Sequence, residues 1–305
     1  MSFFFLNKRL LFKILSLFSV VRGYNILFII IAQFISSIYI LSENNSIIEV
    51  VSDLNIWLII FSSAFSISAG YIINNVFDSE KDLINRPLKT TLEKEISGRT
   101  KLVVYVFLNI VTLILAFLVS LKALFFFSIY IIGIIIYSIK LSKYPFVGNV
   151  FSVVLAITPF FAIILYYKNY SNEIFSHALF LFLIVLIREV IKDLQNFIGD
   201  FTLNYLTIPV KYGEKVSKVY ISFCSAIVLI VCYLILVSYE LSYMKYFYYF
   251  NYFFFVFFNY LVWNSNSKVN YQYLHNSLKL LIVLGLFSII LHGIYKYGKS
   301  TSKIK

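Results

Sequence analysis

The chain contains only five aspartates, and four of them, Asp78, Asp82, Asp193 and Asp200, fall in two short segments. The first segment reads Asn74-Asn75-Val76-Phe77-Asp78-Ser79-Glu80-Lys81-Asp82, with Asn85-Arg86-Pro87 close behind. A spacing of four places Asn74, Asp78 and Asp82 on one face of a helix. Two carboxylates stacked in this way repel each other unless a cation neutralises them. A hard divalent ion such as Mg²⁺ takes carboxylate and amide oxygens and commonly bridges them to phosphate. The same residues also fit a solvated helix end, with Asn74 as a cap and Asp82 paired to Arg86. The second segment runs from Arg188 to Asp200, and its spacing predicts one stripe of Glu189, Asp193, Asn196 and Asp200. Arg188 and Lys192 form a basic stripe beside it, and ion pairs such as Glu189 with Lys192 are the plainer account of those charges. Ion pairing does not explain why a chain so poor in acid confines its aspartates to two matching places. Two such clusters on one side of a membrane predict one shared site.

The elements that carry these clusters are membrane spans. Of 305 residues, 61% are hydrophobic and 13% charged, whereas a soluble domain is about 45–50% apolar and about 25% charged. A soluble enzyme, a disordered chain and a fibrous repeat are therefore excluded. Apolar runs predict nine spans, at about 24–42, 55–76, 101–120, 122–140, 147–167, 175–193, 216–238, 243–263 and 276–295. The expected fold is all-α, a bundle of about nine transmembrane helices around a central lipid-accessible cavity. Residues 1–23 form an interfacial amphipathic segment, since Lys8, Arg9 and Lys13 interrupt their apolar stretch. Residues 24–295 form a single transmembrane domain, and 296–305 a basic tail. The N-terminus and the loops after even-numbered spans, helix ends included, hold 19 of the 26 Lys and Arg. The positive-inside rule assigns that side, and both aspartate clusters, to the cytoplasm. The net charge of +12 follows from this topology and from attraction to anionic lipid. Nucleic acid is not an expected partner, because no basic patch interleaved with aromatics occurs.

These motifs resemble those of the UbiA superfamily of intramembrane prenyltransferases, which carry N-D-x-x-D-x-x-x-D followed by N-R-P and a later D-x-x-x-D. Further similar pieces are Arg22-Gly-Tyr-Asn25, then Tyr137-Ser138 with Lys140 or Lys143, Gly148-Asn149, and Thr207-Ile-Pro-Val-Lys-Tyr-Gly213. The run R-E-V-I-K-D…G-D followed by T-I-P-V is most similar to the branch that acts on geranylgeranylglyceryl phosphate. The resemblance implies Mg²⁺-dependent transfer of a polyprenyl group from an allylic diphosphate to a membrane-associated acceptor. That acceptor is a glycerol-phosphate lipid or an aromatic quinone precursor, and diphosphate is released. It implies Asp78, Asp82 and Asp200 as catalytic metal ligands, with Asn74 as a neutral ligand and Asp193 and Asn196 as further members of the set. Substrate contacts fall to Arg22, Asn25, Arg86 and Tyr137, to Lys140 or Lys143, and to Arg188 or Lys192. The expected location is a bacterial inner membrane with the site facing the cytoplasm.

Asn75 and Asn196 depart from the resemblance, since each stands where that superfamily usually has Asp. Each loses a formal charge while keeping an oxygen, so weaker metal binding, or one ion instead of two, is expected. The alternatives are a prenyl-lipid-binding relative without chemistry and a secondary transporter. Transporters place key charges near the bilayer midplane, whereas these acids lie at helix ends. His177, His275 and His292 are isolated in sequence, and no phosphate-binding glycine loop or serine–histidine pair is present. Cys224 and Cys232, eight residues apart in one apolar run, imply no disulfide.

Overall fold

The computed structural model describes residues 2–42 and 46–302, and side chains from 11 to 42 and from 46 to 295. The predicted interfacial segment is helical, but its basic residues Lys8 and Arg9, like the basic tail 296–305, lie outside the described side chains. The helices in chain order are α1 Ser2–Val20, α2 Gly23–Ser36, α3 Ile47–Ser52, α4 Leu54–Phe77, α5 Ser79–Asn85, α6 Pro87–Glu93 and α7 Gly98–Val119. They continue with α8 Leu121–Ile139, α9 Val147–Tyr167, α10 Asn172–Gln195, α11 Phe197–Thr202, α12 Ile208–Ser238, α13 Lys245–Trp263 and α14 Lys268–Ser302. No strand occurs among the described residues. Among the described residues eight helices are long and apolar enough to cross a membrane, the first formed by α2 with its π-helical extension to Leu41. The remaining predicted span corresponds to α13, whose Tyr and Asn residues lower its mean hydropathy. The chain is an integral, multi-pass membrane protein.

Local chemistry fixes the helix ends. Asp53, the one aspartate outside the two clusters, caps α4 by accepting from the Asn55 amide at 2.9 Å. Ser97 and Ser120 cap α7 and α8 through the amides of Thr100 and Ala123, both at 3.1 Å. Pro87 opens α6 and Pro209 the first turn of α12, where a missing N–H costs nothing. Gly213, at φ 86°, interrupts α12 with a conformation that a side chain would resist.

By internal packing the chain divides into two units. The first comprises Met1–Ile31, Asp53–Ser142 and Ile198–Asn204. Its centre is α4, which buries Ser62, Ser63, Ser66, Ser68, Ala64 and Ala69 where α7 and α8 pack on it. Small side chains let helices approach closely in a setting where lipid supplies no hydrophobic drive between them. The outer face of α7 exposes Leu102, Val106, Phe107, Ile110, Ile114 and Phe117, an apolar surface suited to acyl chains. The second unit comprises Ala32–Ser52, Lys143–Phe197 and Tyr205–Lys305. There α10 packs against α9, α12 and α14 around a core that includes Ile187, Val190, Ile191, Val228 and Phe255.

Candidate active site

The first aspartate segment does not form one straight helix. The backbone breaks at Asp78 (φ −92°, ψ 8°), which ends α4 and begins α5. The i→i+4 hydrogen bonds nevertheless continue, from the Asp78 amide to the Asn74 carbonyl and from the Asp82 amide to the Asp78 carbonyl, both at 2.8 Å. The expected spacing of four therefore survives the break, with Asn74, Asp78 and Asp82 each partly buried. Asn74 Oδ1 accepts from the Ser138 hydroxyl at the end of α8, 2.5 Å away.

The predicted stripe from Glu189 to Asp200 is not continuous. Helix α10 stops at Gln195, Asn196 closes it with φ −99° and ψ 11°, and Asp200 lies on the separate short helix α11. Asn196, a poor helix former, thus stands at the break that splits the motif, and the motif's end packs within the first unit. Asn85, of the Asn-Arg-Pro sequence, accepts a hydrogen bond from the Gly199 amide at 3.1 Å. Any Cβ at position 199 would collide with the Asn85 carboxamide. Only glycine admits this approach, and it seats Asp200 beside the first motif. Lys81 then reaches both sides, with Nζ 3.3 Å from Asp78 Oδ2 and 3.8 Å from Asp200 Oδ1. Asp200 is almost wholly buried, its side chain 3% exposed.

Within the second unit, Asp193 is buried and accepts from Asn149 Nδ2 at 2.7 Å. Glu189 is buried and ion-paired to Lys192 and to Arg188, so the plainer account of these charges holds for Glu189. Asn196 is buried, and its Oδ1 has no hydrogen-bond partner among the described residues. Lys143 is exposed with its ammonium 5.2 Å from the Tyr205 ring, and Lys140, in the first unit, is exposed.

Arg22 and Asn25 enter the first unit through Tyr71. The Arg22 guanidinium lies over the Tyr71 ring at 4.7 Å, and Asn25 Nδ2 donates to its hydroxyl at 3.4 Å. Tyr71, Asn74 and Asp78 fall three and four residues apart, on one face of α4. Tyr137 and Arg86 are both partly buried in the same unit. Lys89 is held below the usual lysine range, chiefly by burial, then by the nearby Arg22, with Arg86 acting the same way and Glu93 opposing. That combination marks a place where positive charge is gathered.

Asn75 faces elsewhere. Its Nδ2 donates to Glu93 Oε2 at 2.8 Å, and its Oδ1 accepts from Lys101 Nζ at 2.7 Å. Glu93 also accepts from the Ser19 hydroxyl at 2.9 Å and lies 3.3 Å from Lys89 Nζ. Asn75, Glu93 and Lys101 are all buried. The Asp-to-Asn departure at 75 is therefore a structural junction joining α1, α4, α6 and α7.

Sequence reasoning missed Lys81, Tyr71, Asn85 and Ser138 as parts of the site. Lys81, Asn85 and Ser138 stood inside quoted motifs without a role of their own; Tyr71 carried no signal beyond its place on the face of Asn74 and Asp78. Among the described residues no three His, Cys, Asp or Glu side chains meet at metal-ligand spacing. The donors that approach the first motif are carboxylate and amide oxygens, which suit a hard divalent ion. The ammonium of Lys81 between Asp78 and Asp200 marks where positive charge is wanted.

The model of the UbiA prenyltransferase family matches residues 43–283. A digeranylgeranylglyceryl phosphate synthase of Thermococcus gammatolerans is 34% identical over 149 residues, 48% of this chain and 53% of that protein. The protein of the same name from Thermococcus sibiricus is 29% identical over 248 residues, 80% of this chain and 86% of its own length. The chain thus spans about half the length of some curated relatives and most of another. In structure it is similar to a UbiA homologue from Archaeoglobus fulgidus bound to GPP and Mg²⁺, with TM-score 0.70, 15% identity, and coverage of 91% of this chain and 99% of that one. A digeranylgeranylglyceryl phosphate synthase structure also has TM-score 0.70, at 22% identity over 93% of this chain and 99% of that one.

Proposed function

The chain belongs to the UbiA prenyltransferase family, and from that premise we propose that it transfers a polyprenyl group from an allylic diphosphate to a glycerol-phosphate lipid, releasing diphosphate. One observation carries this reading. Asp200 is seated beside Asp78 by the Asn85–Gly199 hydrogen bond and the shared Lys81 contact, so two acidic segments more than a hundred residues apart meet at a helix end.

The chemistry asks for stabilisation of a departing diphosphate away from water. An allylic C1–O bond breaks to leave a carbocation and a highly charged leaving group, and preorganised charge aimed at that group lowers the barrier. Asp78, Asp82 and Asp200, with Asn74 as a neutral oxygen, would hold Mg²⁺, which supplies Lewis-acid neutralisation of the diphosphate when bound. Ser138 fixes the Asn74 carboxamide by donating to its oxygen. We assign diphosphate contacts to Arg22 and Arg86, in the positive field that lowers Lys89, with Tyr71 beneath the Arg22 guanidinium and Asn25 bonded to Tyr71. Lys140 is exposed for the same task. The lipid hydroxyl captures the carbocation as an ether and loses its proton to bulk water or released diphosphate.

The acceptor follows the named relatives, which are archaeal glycerol-phosphate lipid synthases. A cytoplasmic-facing site follows the distribution of Lys and Arg. Purified membranes given labelled geranylgeranyl diphosphate, Mg²⁺ and a panel of acceptors test the reading. Ether-linked product with geranylgeranylglyceryl phosphate is expected, and Asp78→Ala or Asp82→Ala should abolish it. Product with an aromatic acceptor alone would reassign the acceptor, and wild-type turnover in either variant would remove the metal role.

A further inference from the structure

Lys81 is the feature that the proposed reaction does not use. Its ammonium lies against one carboxylate from each acidic segment, Asp78 on one side and Asp200 on the other. The Lys81 side chain is 14% exposed and that of Asp200 only 3%, so the contact is poorly screened by solvent. A surface ion pair between adjacent residues would not require this geometry. The i,i+3 spacing of Asp78 and Lys81 accounts for one contact, but the second crosses to α11 and depends on the Asn85–Gly199 docking.

We propose that Lys81 is a tethered cation that occupies, between Asp78 and Asp200, the position a divalent ion would otherwise take. The inference rests on the reading of Asp78 and Asp200 as metal ligands and specifies how this chain modifies them. Two consequences follow from electrostatics alone. Lys81 holds the two acidic segments together before any ion or diphosphate arrives, because two carboxylates facing one low-dielectric space would otherwise repel. It also competes with a divalent ion for the same oxygens, so ion binding without diphosphate is weak. An arriving diphosphate relieves that competition, since the ammonium can turn from the carboxylates to phosphate oxygens.

The test is a Mn²⁺ titration of the purified full-length protein in detergent without diphosphate, read by electron paramagnetic resonance. The Lys81→Met variant is expected to bind Mn²⁺ on the order of tenfold more tightly than wild type, or to gain one ion per chain, because the competing charge is gone. Adding Asp78→Ala to that variant should cancel the gain. Lys81→Arg, which keeps the charge, should behave like wild type. Thermal unfolding supplies a second readout: Lys81→Met is expected to melt lower than wild type in EDTA and to recover with millimolar Mn²⁺. Equal or weaker Mn²⁺ binding by Lys81→Met, with Asp78→Ala still abolishing it, would overturn the tethered-cation role and leave the metal site standing. Binding indifferent to both Asp78 and Lys81 would overturn both.

Discussion

At the scale of single residues, the most informative position is Asn75, where the family resemblance leads one to expect Asp. Read from sequence, the loss of a charge beside Asp78 and Asp82 predicts a weakened metal site. The structure gives a different cause. Asn75 uses both ends of its carboxamide, donating to Glu93 and accepting from Lys101 inside a buried network. A carboxylate there would turn the donor that meets Glu93 into a second negative oxygen. Asn75→Asp is therefore expected to destabilise the protein by roughly 1–3 kcal/mol, the cost of leaving a buried polar group without its partner. Differential scanning fluorimetry in detergent measures this as a lowered Tm, with Mn²⁺ affinity unchanged. Tighter Mn²⁺ binding without loss of Tm would return Asn75 to the metal site.

At the scale of elements, the decisive one is the six-residue helix α11. It is too short to be stable alone, and it keeps its place through the Gly199 amide, the Asn85 side chain and the ion pair to Asp200. Gly199→Ala should push α11 off Asn85 and carry Asp200 away from Lys81. Loss of one buried hydrogen bond costs about 1 kcal/mol, a small fraction of the stability of a large helical protein, so a folded chain with little turnover is the expected outcome. Circular dichroism and the prenyl-transfer assay together check it; near-wild-type turnover would mean that α11 does not position Asp200 for catalysis. The same element shows what a sequence can and cannot yield. Apolar runs located most of the long helices to within a few residues, because lipid forces each backbone to satisfy its own hydrogen bonds, but they began α12 and α14 eight residues late, where polar residues open both helices. Helical spacing correctly grouped Asn74, Asp78 and Asp82. It wrongly extended one stripe from Glu189 to Asp200, because periodicity carries no information about where a helix stops at Asn196. Nor could it reveal that Gly199 meets Asn85 or that Asn75 meets Lys101, since those partners are set by tertiary packing between segments distant in the chain.

At the scale of the whole molecule, charge placement decides which side of the membrane sees the site. Within the first unit, Asn74, Asp78, Ser138 and Lys101 gather at one end of α4, α7 and α8, the end that also carries the Lys- and Arg-rich segment from Lys81 to Arg99. The opposite end, around the α7–α8 connection, offers Lys122 alone. Placing a Lys or Arg at the centre of a spanning helix costs roughly 2.5–3.5 kcal/mol, so a cytoplasmic basic end is the expected orientation. The two native cysteines, Cys224 and Cys232, are buried, and thus silent towards a bulky reagent, which permits a direct test in the otherwise unaltered chain. Glu95→Cys and Lys122→Cys each place a thiol at an exposed position. In intact cells a membrane-impermeant maleimide should label the Lys122→Cys variant, and should label Glu95→Cys only after the cells are opened. The reverse pattern would put the acidic pocket on the outer face, out of reach of a diphosphate made inside the cell, and would sever the link between this architecture and prenyl transfer.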